Sequence, residues 1–235
     1  TSIPDAMVNL QWLDCLFCPA LTSIPDTLIN LQGLECYVCP LLRSIPTTLI
    51  NLQMLRCSYC PLISSIPDTL INLRRLNCSR CPLISSIPDT LINLQRLDCS
   101  HCIILTSVPD MVNLWEFDCT CTALTSIPDT LVNLQELYCC GCHVITSIPD
   151  TLVNLQELHC IECIALTLIP NTLINLLILE CSNCPSLLYV PRRLLNERDF
   201  NKIENRRSAL RKNIVTVLND TLPSEIAQLV ARYCY

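Results

Sequence analysis

Cys78 and Cys81 form a Cys-x-x-Cys pair in NLRRLNCSRCPLISSIPDTLI, Asn72 to Ile92, and the same spacing returns along nearly the whole chain. The series runs Cys15/Cys18, Cys36/Cys39, Cys57/Cys60, Cys78/Cys81 and Cys99/Cys102, then a contracted Cys119/Cys121, then Cys139/Cys142, Cys160/Cys163 and Cys181/Cys184. Sulfur at this density offers four kinds of chemistry. Four thiolates at tetrahedral positions hold zinc. A pair at a helix N-terminus in a βαβ context exchanges electrons. Paired half-cystines cross-link small secreted domains. A plain thiol is a small buried hydrophobe with a weak S–H donor. The elements that carry the sulfurs decide among these.

Those elements repeat. Prolines fall at 4, 25, 46, 67, 88, 109, 128, 149, 170 and 191, a step of 21 residues with one step of 19 between Pro109 and Pro128. Counted from its first Leu, each unit reads L-x-x-L-x-C-x-x-C-x-x-L-x-x-I-P-D-T-L-I-N, as Leu73, Leu76, Cys78, Cys81, Ile84, Ile87, Pro88, Leu91 and Asn93 show. In L-x-x-L-x-C the second Leu and the Cys stand two apart and share one face of a strand, with the residue between them on the other. Proline after Ile ends the extended arm and sets a tight turn. The eight or so residues of SIPDTLIN are too few for an α-helix, so turns or 3-10 pieces are expected to return the chain. A single unit cannot bury its Leu/Ile face, so the units must stack into a solenoid.

These residues resemble the leucine-rich repeat, L-x-x-L-x-L-x-x-N/C-x-L, over about residues 1–196 in nine units. The Cys followed by Leu is similar to the cysteine-containing class, and I-P-x-x-L is similar to the short bacterial and plant-type classes. Cys-rich units of this kind also resemble those encoded by large DNA viruses of amoebae. The resemblance implies an α/β-type horseshoe with a parallel concave β-sheet, turns or 3-10 pieces on the convex side, and protein binding as its use. Because the first residue is a Thr in mid-pattern, more chain is expected upstream of it.

In that frame the first Cys of each pair occupies an inward slot. The resemblance places the second where the strand turns away, facing the core and bonding backbone of the turn. Stacked thiols then form a flat ladder rather than a tetrahedral cage, and no helix N-terminus carries them. Parallel Cβ vectors on neighbouring strands make a poor disulfide torsion. The expected role is packing, with no metal and no cofactor; a metal-thiolate protein is the rival.

Composition narrows the partners. Residues 1–191 hold six Arg, no Lys and sixteen Asp/Glu, whereas residues 192–235 hold nine basic and five acidic side chains. The acidic body argues against nucleic acid, whose binding rests on Lys and Arg. No apolar run reaches the ~20 residues that cross a bilayer. Twenty Cys in a chain with a large core point to a reducing, intracellular place, the cytoplasm of the source or of a host cell. Catalysis has little to work with: three His (His101, His143, His159), two Gly (Gly33, Gly141) and an incidental Cys140/His159 neighbourhood. No enzyme is expected.

With inward positions fixed, positions three, five, seven and eight are expected to project from the sheet and meet a partner. The first units place Trp12, Leu16, Phe17, Tyr37, Val38, Met54 and Tyr59 there; the middle units Arg56, Arg75, Arg80, Arg96 and His101. The last place Glu116, Asp118, Glu136, Glu157, Glu162 and Glu180, with Tyr138 and His159 among them. Aromatic and Arg clusters are the usual anchors of protein interfaces. The sixth unit, NLWEFDCTCTALT, lacks one residue in C-x-C and another in PDMVN, which predicts a local pinch in the stack.

After PRRLLN the repeat stops. Phe200, Ile203, Leu210, Ile214, Val217 and Leu218 fall at helical spacing, and a second helix is expected from Pro223 with Ile226, Leu229, Val230 and Tyr233 on one stripe. Residues 197–235 are thus expected to cap the last repeat. The segment LPSEIAQLV also resembles F-box and related adaptor helices, and ALRKNIVTVL resembles the first helix of a SOCS box. That resemblance implies an alternative role, a substrate receptor of a cullin-type ubiquitin ligase docking an adaptor protein at its C-terminal helix.

Overall fold

The structure, a computed structural model, describes residues 3–194, 201–210 and 212. Nine three-residue strands follow one another: β1 (Trp12–Asp14), β2 (Gly33–Glu35), β3 (Met54–Arg56), β4 (Arg75–Asn77), β5 (Arg96–Asp98), β6 (Glu116–Asp118), β7 (Glu136–Tyr138), β8 (Glu157–His159) and β9 (Ile178–Glu180). They form one parallel sheet in sequence order. Each pairing is displaced by one unit, as Leu34↔Leu55 and Leu55↔Leu76 show, so the period in sequence becomes a translation in space. At ~4.8 Å per strand the sheet is roughly 40 Å long.

The inward Leu, Ile and Cys positions build one continuous core from Cys15 to Ile203. Position four, the middle of the strand, is buried from β2 to β8, as at Leu34, Leu55 and Leu137, and half-buried as Leu13 and Leu179 in the two edge strands. Burying one such Leu is worth about 1.5–3 kcal/mol. The return arm is two successive tight turns: Leu70 N–H donates to Pro67 O at 3.4 Å and Leu73 N–H to Leu70 O at 3.0 Å. Among the described residues the one 3-10 piece, Arg192–Leu194, follows the last repeat instead of lying on a return arm.

Side-chain ladders tie unit to unit. The Asn of each NL step donates Nδ2–H to the preceding unit's position twenty, as Asn51 does to Ile29 O and Asn72 to Ile50 O, both at 2.9 Å. Threonines at position eighteen do the same one turn earlier, Thr48 to Asp26 O at 2.7 Å. The cysteines make a third ladder. Cys60 donates S–H to Cys36 O at 3.0 Å, Cys81 to Cys57 O at 3.1 Å and Cys102 to Cys78 O at 3.2 Å, all in the dry core. Sulfur packs and hydrogen-bonds here. All nineteen cysteines among the described residues are thiols, and no group of three or more His, Cys, Asp or Glu there could hold a metal ion.

The sixth unit corrects the expected pairing. Cys121 has φ 55°, the same left-handed conformation as His101 at φ 58°, so it occupies position eight and faces out. Thr122 therefore takes the slot of the second cysteine, buried, with its hydroxyl donating to Cys119 O at 2.7 Å. The missing residue lies after this slot, in the loop to Leu124, and not within C-x-C. The second deletion puts Met111 in the buried Leu slot. Both losses fall in loops, so the strand register runs unbroken through Leu97↔Phe117 and Phe117↔Leu137, while the cysteine ladder skips a rung where Thr122 bonds within its own repeat.

Residues 201–210 are helical and lie against the last repeat. Ile203 joins the core, Arg206 donates to Cys184 O at 2.9 Å, and the Arg207 guanidinium sits 5.7 Å from the Tyr189 ring centroid. Phe200, the helix expected from Pro223, the segment LPSEIAQLV and most of ALRKNIVTVL lie outside the described residues. No helix among the described residues is long and apolar enough to cross a membrane.

Candidate functional site

The outward face of the sheet is built from two kinds of position. Positions three and five flank the buried middle of each strand, so pleating alone aims them outward. Position eight gets there differently. Phe17, Val38, Tyr59, Arg80 and His101 all have φ between 53° and 58°. A left-handed non-glycine residue costs about 1–2 kcal/mol, so the turn must be over-determined. Two bonds fix it. The position-five carboxylate or amide accepts the position-seven N–H, as Asn77 Oδ1 does from Ser79 at 3.0 Å and Asp98 Oδ1 from Ser100 at 3.0 Å. The position-eight N–H then donates to the next unit, Tyr59 to Ser79 O at 3.0 Å and Arg80 to Ser100 O at 2.8 Å.

This geometry lines the position-eight edge with a chain of contacts across five units. The Phe17 and Tyr37 rings meet edge-on at 5.4 Å, and Tyr37 meets Tyr59 at 5.2 Å. The Arg80 guanidinium lies 5.1 Å from the Tyr59 centroid and 3.3 Å from His101 Nε2. Phe17 is 65% exposed and Tyr59 41%, so the stripe faces solvent. Leu16 flanks it, exposed; Val38 is half-buried. Trp12 stands apart on β1, its indole lying over Gly33, with Met54 and Arg75 around the same hollow of about 450 Å³.

Along the face the charges are linked from one unit to the next. Arg56 pairs with Glu35 at 3.3 Å. Arg96 pairs with Glu116 at 3.2 Å while its guanidinium covers the Trp115 ring at 4.0 Å. Tyr138 stacks on His159 at 4.6 Å and donates to Glu136 at 3.2 Å; His159 lies 3.6 Å from Glu157 and 2.9 Å from Glu180. Burial raises Glu116 above its ordinary carboxylate value although Arg96 opposes it, and burial raises Asp118 likewise. Tyr138 is pushed up to about 12, by burial first and then by the charge of Glu136.

The unit pattern and the parallel sheet converge on one family. Residues 51–73, 72–94 and 133–155 each match the family model described as Leucine Rich Repeat. The solenoid is made of leucine-rich repeats. No curated protein matches the chain by sequence. Among solved structures, YopM from Yersinia enterocolitica superposes with a TM-score of 0.63 at 22% identity, covering 83% of this chain and 43% of YopM. The leucine-rich repeat domain of the type III effector XopL gives 0.53 at 22%, over 68% of this chain and 71% of that domain. The Leptospira interrogans leucine-rich repeat protein LIC12759 gives 0.51 at 18%, over 80% of this chain and 61% of that one. At such identities the likeness is one of fold.

Three features of this leucine-rich repeat face differ from the sequence reading. Position seven does not project in the middle units: Ser58, Ser79 and Ser100 are buried, tied to Asn77 and Asp98 by their hydroxyls. Trp115, at position two, joins the face through Arg96, although only positions three, five, seven and eight were expected to contribute. The Gln at position two in most units, with the Asn ladder, lines a polar groove of about 960 Å³, and Gln32, Gln53 and Gln95 border both it and the Trp12 hollow. The regular recurrence of NLQ marked that second row in the sequence.

Proposed function

We propose that the chain is a non-enzymatic protein-interaction module that receives a protein partner on its concave strand face. The observation that carries this reading is the unbroken contact chain Phe17–Tyr37–Tyr59–Arg80–His101. It is a pre-formed row of aromatic, Arg and His side chains held by one another, with Phe17, Tyr59 and Arg80 exposed and Tyr37 and His101 half-buried, which is the composition of interface anchors. Trp12, Leu16, Met54, Arg56, Arg75 and Arg96 widen the anchor region; Glu116, Glu136, Tyr138, Glu157 and His159 supply an acidic end that sets orientation and excludes acidic partners. Leucine-rich repeat solenoids are mainly binding scaffolds, which supports the assignment. In this reading residues 1–196 form the binding solenoid, residues 197–235 its cap, and the buried thiols suit a reducing intracellular compartment.

The test is affinity purification of the full chain from cells of its source, comparing wild type with a Phe17→Ala/Tyr59→Ala/Arg80→Ala variant. Loss of the captured proteins in the variant is expected. An unchanged set of captured proteins overturns the assignment.

A further inference from the structure

Position twenty, from Val8 just ahead of the first repeat to Ile174 in the eighth, carries a feature that the strand-face reading does not use. From Val8 through Ile29, Ile50, Ile71 and Ile92 to Ile174, nine consecutive units place an isoleucine or valine there, each between 41% and 71% exposed. The residues lie on the return arm, away from the strand face, so they form a separate aliphatic ridge. The Asn ladder holds it rigid: the carbonyls of Val8, Ile29, Ile50, Ile71 and Ile92 each accept Nδ2–H from the next unit's Asn at 2.9–3.0 Å. A β-branched side chain on a pinned backbone has little entropy left to lose on contact.

We infer that this ridge is the interface of a homodimer, one copy's ridge seated on that of a second copy. Two observations choose the occupant, and a third removes a rival. Nine half-exposed β-branched side chains offer on the order of 800 Å², which is what each partner of a specific, stable interface contributes. The ridge repeats at the strand spacing over its whole length, and a second copy keeps that period in step throughout. A partner of another period would lose register within a few units. Homodimer interfaces are also the more apolar class. The third observation is charge: Asp26, Asp68, Asp89 and Asp150, three residues before the ridge, run beside it and repel an anionic lipid surface.

The same charge row gives the dimer a signature. Two acidic copies repel, so added salt strengthens the association, the reverse of an interface held by ion pairs. Sedimentation of the full chain over a concentration series is the experiment, with wild type, Ile71→Asp/Ile92→Asp, the milder Ile71→Thr/Ile92→Thr, and Phe17→Ala/Tyr59→Ala as the strand-face control. Expected are a dimer tightened by salt, loss of it in the Asp pair, weakening by about tenfold or more in the Thr pair, and an unaltered dimer in the control. Circular dichroism keeps misfolding separate from dissociation. A monomer at all concentrations, a dimer indifferent to both ridge pairs, or co-flotation of the wild type with phosphatidylcholine vesicles would overturn the inference.

Discussion

The sulfur of Cys81 donates its proton to the carbonyl oxygen of Cys57 at 3.1 Å, one repeat earlier in the stack. Both residues are fully buried, so the rung has no water to compete with it. Cys81→Ala removes the donor and leaves a small void, and is expected to cost about 1–3 kcal/mol. Cys81→Thr should cost less, because Thr122 already fills the equivalent slot in the sixth repeat and finds a carbonyl there. Urea unfolding at constant slope measures both. An Ala variant no worse than a surface substitution, within about 0.5 kcal/mol, would show that the ladder contributes only volume.

Burial also sets which thiols react. Cys99 and Cys119 are held well above the ordinary thiol range by desolvation, and Cys57 by its hydrogen bond with Cys81 and by burial. Only the thiolate attacks an alkylating reagent. Access rather than acidity decides the order, because hydrogen bonds lower Cys142 and Cys184 to about 7 yet both lie buried, whereas burial raises the part-exposed Cys121 and Cys140. Native alkylation followed by mass spectrometry should therefore mark the part-exposed Cys18, Cys121, Cys140 and Cys181 before any fully buried cysteine. Cys121 is the informative one. Read as half of a contracted pair it belongs inside, whereas its left-handed turn turns it outward. Protection of Cys121 equal to that of Cys119 would restore the paired reading.

The inward half of this molecule was legible because one unit, read nine times, averages out accident. Leu76, Cys78, Cys81, Ile84 and Leu91 sit where alternation and the proline turn put them. The outward half was less so, since its structure arises between units, from residues 21 apart. Nothing local in Arg80 announces that it leans on Tyr59, or in Trp115 that Arg96 lies over it. Ser79 looked like an outward residue until Asn77 claimed its N–H and its hydroxyl. The sixth repeat misled for a similar reason: Cys-x-Cys suggested a lost residue inside the motif, whereas the hydrogen bond from Cys121 N–H to Cys140 O, at 2.8 Å, keeps position eight and moves the loss downstream.

Gly33 tests how the first anchor is seated. A methyl group at this position would collide with the indole of Trp12, which occupies the space above β2. Trp12 is 51% exposed and can swing away, so Gly33→Ala should cost only about 1 kcal/mol. The consequence lies in the site: the indole loses its bed and its emission moves to the red. In a Trp115→Phe background the shift reports Trp12 alone. An unchanged spectrum would mean that the indole does not rest on β2.

Asp118 provides a pH test with a definite sign. Burial raises its folded pKa, followed by the opposing bond from Thr120 N–H and the charge of Asp98, which raises it further. A free aspartate in the unfolded chain ionises near ~3.9. The folded form therefore holds its proton to a higher pH than the unfolded form does. That contribution to stability is complete below the unfolded value and is lost as pH rises through the folded one. Glu116, raised in the same way, adds in the same direction. Asp118→Asn removes the titration but keeps the turn, because an amide oxygen serves the same N–H at Asn77 in the fourth repeat. The urea midpoint of wild type should fall relative to that of Asp118→Asn as the pH is raised from about 4 toward 7, with the variant as stable or more stable at neutrality. Parallel pH profiles would show that Asp118 ionises in the fold as freely as it does in the unfolded chain.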